Sequence, residues 1–115
     1  MDVRSKIWLE IQGEPVFGSG REDLLRAIDG TGSINKASKV LKISYRKALS
    51  YIQTTEKRLG MRLVERRIGG VNGGGATLTD EAREFIKKYE LLEKGLNDML
   101  NRKFIRIFGS DKRGL

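Results

Sequence analysis

Apolar positions along the chain change period several times, and each change predicts a new element. Val3, Ile7, Leu9 and Ile11 partly alternate with Arg4, Lys6 and Glu10, which predicts a strand over 3–11 with one solvated face. Gly13-Glu14-Pro15 reads as its turn, and Val16-Phe17 as a short return strand ending at Gly18-Ser19-Gly20. From Arg21 to Asp29 the spacing becomes helical, with Leu24, Leu25 and Ile28 as the apolar stripe. Glu22 and Asp23 suit the positive end of that helix's dipole, and Gly30-Thr31-Gly32 stops it.

Ser33 then reads as the N-cap of a second helix, with Ile34, Ala37, Val40 and Leu41 on its buried face. After a turn at Lys42-Ile43, Ser44 caps a third helix running to about Leu59. Its predicted buried stripe is Tyr45, Ala48, Leu49, Ile52 and Leu59, and Gly60 is its stop. Residues 62–68 and 76–78 read as two strands of a hairpin whose tip is almost pure glycine.

Thr79 is the N-cap expected for the last long element, with Asp80 and Glu81 in its first turn. Ala82, Phe85, Tyr89, Leu92, Leu96 and Met99 follow in alternating steps of three and four, a heptad seam, with Ile86 and Leu100 widening it. Such a seam can pack on its own domain or on a second copy. The second copy is favoured, because so small a core hardly covers a long terminal helix. The expected dimer interface is therefore Phe85, Tyr89, Leu92, Leu96 and Met99. Residues 104–108 read as a short strand, followed by a polar tail.

The expected fold class is mainly α with small β-hairpins (α+β), a winged helix-turn-helix with a long C-terminal dimerisation helix. In domain terms this places the winged helix-turn-helix domain at 1–78, the dimerisation helix at 79–103 and a short tail at 104–115, with no effector domain expected.

Charge turns this outline into a functional expectation. Ten of the basic residues, and only Glu56 and Glu65 of the acidic ones, fall between Ser33 and Arg67. That third of the chain thus carries the whole formal net charge of +8, and the remainder is balanced. Localised positive charge calls for an anionic partner, nucleic acid or membrane. Two capped helices joined by a tight turn, the second showing polar and basic side chains, select double-stranded DNA. The third helix, 44–59, is expected in the major groove, offering Ser44, Arg46, Lys47, Ser50, Tyr51 and Thr54. The first helix of the pair contributes Ser33 and Lys36. The wing, 62–78, brings Arg66, Arg67 and the glycine tip with Gly70 and Gly73 to the backbone or a minor groove. A sequence-tolerant architectural DNA-coating protein is the alternative reading.

Absences narrow the classes further. There is no Cys and no His, so thiol, imidazole and common metal-site chemistry are missing, and no cofactor is expected. No paired carboxylates or nucleophile–base arrangement stand out, so no enzyme is expected. No Gly-Lys-Ser/Thr follows a glycine loop. No apolar run is long enough for a signal core or a membrane span, which leads to a cytoplasmic expectation without a membrane partner.

Several segments also carry a resemblance. Ser19-Gly20-Arg21, 24–29, 31–34, Ser44-Tyr45-Arg46-Lys47-Ala48, 63–67 and the glycine tip through Leu78-Thr79 resemble the molybdate-responsive (ModE-type) transcriptional regulators. The likeness is to their N-terminal DNA-binding domain, which is related to the LysR-type winged helices. It spans roughly residues 4 to 95. It implies a dimer binding two half-sites, with DNA contacts from Ser44, Tyr45, Arg46 and Lys47 and from Arg66, Arg67 and the glycine tip. Members that sense molybdate do so through C-terminal oxyanion-binding domains. Residues 104–115 are too short for one, so a separate effector-binding protein is the partner this reading admits.

Overall fold

The computed structural model describes residues 1–68 and 74–109. Eight elements follow in order: β1 (Leu9–Ile11), β2 (Glu14–Phe17), α1 (Ser19–Thr31), α2 (Ile34–Val40), α3 (Tyr45–Leu59), β3 (Val64–Arg67), β4 (Gly75–Leu78) and α4 (Asp80–Phe108). They form two units, Trp8–Phe85 and a second made of Met1–Ile7 with the C-terminal stretch from Ile86.

In the first unit the N-terminal hairpin is shorter than its alternation suggests. Residues 3–8 are not strand, and the turn is Gln12-Gly13 rather than Gly13-Glu14-Pro15. Gln12 and Gly13 have φ of 50° and 81°, the left-handed pair that a two-residue hairpin requires. Pro15 is accommodated opposite Glu10 because a two-stranded sheet consists only of edges.

Helix α1 runs past Gly30 and Thr31 and stops at Gly32, which adopts φ 71° and donates its N–H to the Ile28 carbonyl. Thr31 is tolerated inside because its hydroxyl donates to the Ala27 carbonyl at 2.7 Å. Ser33 caps α2 by accepting from the Lys36 N–H (3.1 Å), and Ser44 caps α3 by accepting from the Lys47 N–H (3.0 Å). Between them the Ile43 N–H bonds the Ser38 carbonyl, with Lys42 left-handed at φ 58°.

The core of this unit forms from Val16, Phe17, Leu24, Leu25, Ile28, Ile34, Ala37, Ala48, Ile52, Leu63 and Val64. Five expected core positions are different, two of them, Leu49 and Leu59 of α3, being only partly covered. Val40 is exposed and Leu41 only partly covered, because α2 ends before a second turn of its stripe can pack. Tyr45, at the start of α3, is 43% exposed, and near the other end of the helix the unexpected Thr55 joins the stripe at 2%. Thr55 survives burial because its hydroxyl donates to the Tyr51 carbonyl and accepts from Arg21 Nε.

β3 and β4 are antiparallel, with Val64 opposite Leu78 and Arg67 opposite Gly75. The wing is tied to the body at three places. The Ala76 N–H donates to the Gly32 carbonyl (2.8 Å), and the Thr79 N–H to the Leu63 carbonyl (2.9 Å). The Glu56 carboxylate accepts from the N–H groups of Leu63 (2.7 Å) and Val64 (3.2 Å). Thr79 caps α4, accepting from the Ala82 N–H at 3.0 Å. In the following turn Arg83 grips the Asp29 carboxylate with both terminal nitrogens, at 3.1 and 2.8 Å. That hydrogen bond and charge raise the Arg83 guanidinium above its ordinary value.

α4 is one helix through Phe108, so residues 104–108 are its last turns and not a strand, and the helix outruns the expected end at 103. In the second unit Tyr89 donates its hydroxyl to the Ile7 carbonyl (2.9 Å), and Ser5 to Asn97 (2.6 Å). The heptad seam is thereby divided. Tyr89, expected between subunits, is 2% exposed within the single chain, and in the first unit Phe85 stacks edge-on against Phe17 (4.9 Å, 87°). Leu92 and Met99 lie exposed, and Leu96 partly so.

Candidate nucleic-acid interface

α3 owes its orientation to one narrow stripe. Ala48, Ile52 and Thr55 fall at steps of four and three and turn inward, so the opposite face must be solvated. Arg46, Lys47 and Ser50 are exposed on that face and Thr54 partly so. Ser44, at the cap, holds its hydroxyl on the Lys47 N–H, which fixes the first turn from which Arg46 and Lys47 project. Among the described residues no carboxylate pairs with Arg46 or Lys47. The single acid of the helix, Glu56, is spent on the backbone of the wing's first strand. The charge excess seen in the sequence therefore stays unneutralised on this face.

Two tyrosines flank it. Tyr45 and Tyr51 are six residues apart, about 240° round the helix axis. Tyr45 accepts a hydrogen bond from Arg66 Nη1 on the wing at 3.2 Å. Tyr51, partly buried rather than freely solvated, has the Arg21 guanidinium 5.1 Å and the Lys47 ammonium 5.8 Å from its ring centre. Periodicity could not separate these roles, since the rings lie at the borders of the stripe. The Arg21–Thr55 hydrogen bond that holds the guanidinium beside this ring has no sequence signal, because it joins residues 34 positions apart.

The wing and the starts of α2 and α3 enclose an open cleft of about 350 Å³, lined by Ser33, Asn35, Tyr45, Arg66 and Arg67 among others. Lys36 is exposed at the first turn of α2, and Ser33 Oγ is occupied as its cap. Glycine is required at position 74, just before β4. A Cβ on Gly74 would collide with the Arg67 backbone carbonyl, and one on Gly75 would meet Arg67 Nη2 at 2.9 Å. Gly70 and Gly73 lie outside the described residues. Among the described residues no group of His, Cys, Asp or Glu could hold a metal ion, and no helix is long and apolar enough to cross a membrane.

Two capped helices, a short left-handed turn, a basic outward face on the second helix and a hairpin beside it define a winged helix-turn-helix. The sequence profile of the bacterial regulatory helix-turn-helix proteins of the lysR family matches residues 23–83, from within α1 into α4. The chain belongs to that family.

Its curated relatives include the transcriptional regulator ModE of Haemophilus influenzae, 42% identical over 74 residues, 64% of this chain and 29% of that protein. The DNA-binding transcriptional dual regulator ModE of Escherichia coli is 35% identical over 92 residues, covering 80% of this chain and 35% of that protein. The chain therefore spans about a third of the length of these relatives.

Among solved structures, a CbnR DNA-binding domain in complex with DNA superposes with a TM-score of 0.54 at 19% identity, covering 76% of this chain and 95% of that one. A BenM DNA-binding domain on its benA site 1 DNA gives 0.53 at 23%, covering 80% and 96%. At these identities the likeness establishes the fold.

Proposed function

We propose that this chain is a sequence-specific double-stranded DNA-binding transcriptional regulator that acts in the cytoplasm as a homodimer. The observation that carries the reading is the unpaired basic face of α3, with Arg46 and Lys47 presented from a capped first turn beside a basic wing. Recognition helices lead into the major groove with this end, and Arg reads guanine edges with two donors. Arg66 and Arg67 on the wing suit the sugar-phosphate backbone or a narrow minor groove. The names of the ModE relatives, transcriptional regulators, agree with it. The dimer rests on Leu92 and Met99, apolar positions of α4 that are 53% and 43% exposed in the single chain. The function is binding, without a catalytic step.

Selecting bound duplexes from a random pool tests the proposal. The expected result is one motif with two half-sites, and affinity for it that falls steeply with salt while exceeding that for random duplex by about 10³-fold or more. Arg46→Ala is expected to lose roughly 1–3 kcal/mol on the selected motif and to relax preference at one base position. Equal binding of selected and random duplexes at every salt concentration would refute sequence-specific regulation and leave architectural coating.

A further inference from the structure

We propose that Arg21, which lies on α1 and outside the helix-turn-helix, is a DNA-backbone contact acting together with Tyr51 and Lys47 of α3. The proposal rests on the DNA-binding reading above and adds a residue and an element to it.

The Arg21 guanidinium is held in place before any partner arrives. Its Nε donates to Thr55 Oγ1 at 2.9 Å, and Thr55 is 2% exposed and itself bonded to the Tyr51 carbonyl at 2.7 Å. Its plane carbon lies 5.1 Å from the centre of the Tyr51 ring. One of five N–H donors is used by Thr55, and the others remain for an acceptor. A pinned fork loses less freedom on binding than a solvated one.

Lys47 approaches the same ring at 5.8 Å, and no carboxylate among the described residues pairs with either cation. Two unneutralised cations on one tyrosine repel each other, and an anion between them relieves that repulsion. The ring sits at the border of the exposed face of α3, where a helix seated in a major groove passes the phosphates of the groove wall. Arg21 would thus bind one wall while the Tyr45–Arg66 pair on the other border meets the opposite side.

The test uses the selected duplex and a random one, titrated over a range of salt with wild type, Arg21→Gln and Arg21→Lys. Arg21→Gln is expected to weaken both duplexes alike, on the order of tenfold, and to flatten the salt slope by about one unit. Arg21→Lys keeps the slope near the wild-type value. A scan of single methylphosphonate substitutions in the duplex supplies a second readout. One neutralised phosphate that weakens wild type and Arg21→Lys should weaken Arg21→Gln markedly less.

An unchanged slope in Arg21→Gln, with or without a lower melting temperature, would assign Arg21 to packing and overturn the proposal. So would a scan in which Lys47→Ala abolishes the sensitivity of its phosphate altogether, since Arg21 would then contribute nothing there, and this holds even if Arg21→Gln fails to fold. Arg46→Ala serves as the control for the underlying reading. If it relaxes base preference while Arg21→Gln changes nothing, only the Arg21 assignment fails; if wild type shows no salt-dependent DNA binding, the reading of the whole chain fails.

Discussion

Glu56 is one of two acids in the most basic third of the chain, and removing it separates two opposite expectations. Simple charge counting predicts that Glu56→Ala strengthens DNA binding, since it makes a positive face more positive. The geometry predicts the reverse. One carboxylate oxygen accepts from the N–H groups of Leu63 at 2.7 Å and Val64 at 3.2 Å, and the side chain is only 19% exposed. Hydrogen bonds to a charged group contribute roughly 1.5–3 kcal/mol each, so allowing for partial exposure the pair amounts to about 2–4 kcal/mol. For a domain of this size that is a fall in melting temperature of about 10–25 °C. Glu56→Gln keeps an acceptor oxygen and loses only the charge, and is expected to cost roughly 1 kcal/mol. Chemical denaturation measures both variants, and a salt titration on the selected duplex follows binding. The entry to β3 is what Glu56 holds, so Glu56→Ala should weaken DNA binding although it adds net positive charge. An Ala variant within about 0.5 kcal/mol of wild type that binds DNA more tightly would refute this reasoning.

Three further outcomes follow from single features. Gly74→Ala places a Cβ against the Arg67 carbonyl, backbone that cannot swing aside, so the wing hairpin must shift and binding should drop several-fold; Gly75→Ala meets the movable end of Arg67 at 2.9 Å and the Gly32 carbonyl only at 3.4 Å, and should lose less. Leu92→Asp should yield monomers in sedimentation with helix content intact, and a variant that stays dimeric would place the interface elsewhere. In α4 the hydrogen bond and charge of Lys94 hold the Asp98 carboxyl below its ordinary value, so the pair's contribution is full above the usual carboxylate range and is lost as pH falls through the lowered value. An NMR titration should show this depression in the wild type and its disappearance in Lys94→Ala.

Much of the candidate site was legible because the interactions that build it are local. Ser33, Ser44 and Thr79 satisfy N–H groups three residues on, and Gly32 and Gly60 end helices in a left-handed conformation that few other residues adopt freely. The outward face of α3 followed from the steps between Ala48 and Ile52. Spacing failed where a residue sits at the margin of a stripe or beyond the end of a packed turn. Tyr45, Tyr51 and Val40 are such positions, and what covers a marginal side chain is decided by distant chain segments.

The basic helix-turn-helix with its hairpin wing was thus determined by the sequence itself, through caps, stops, period and the placement of charge, all of which act over a few residues. Only the tertiary structure decided that Glu56 serves the wing, that Arg66 reaches Tyr45, that Arg21 is pinned beside Tyr51, and that Tyr89 packs inside its own chain. Those pairings join residues separated by 7 to 82 positions. No local preference encodes them, because a side chain's partner across such a distance is set by how the helices and hairpins close on a shared core.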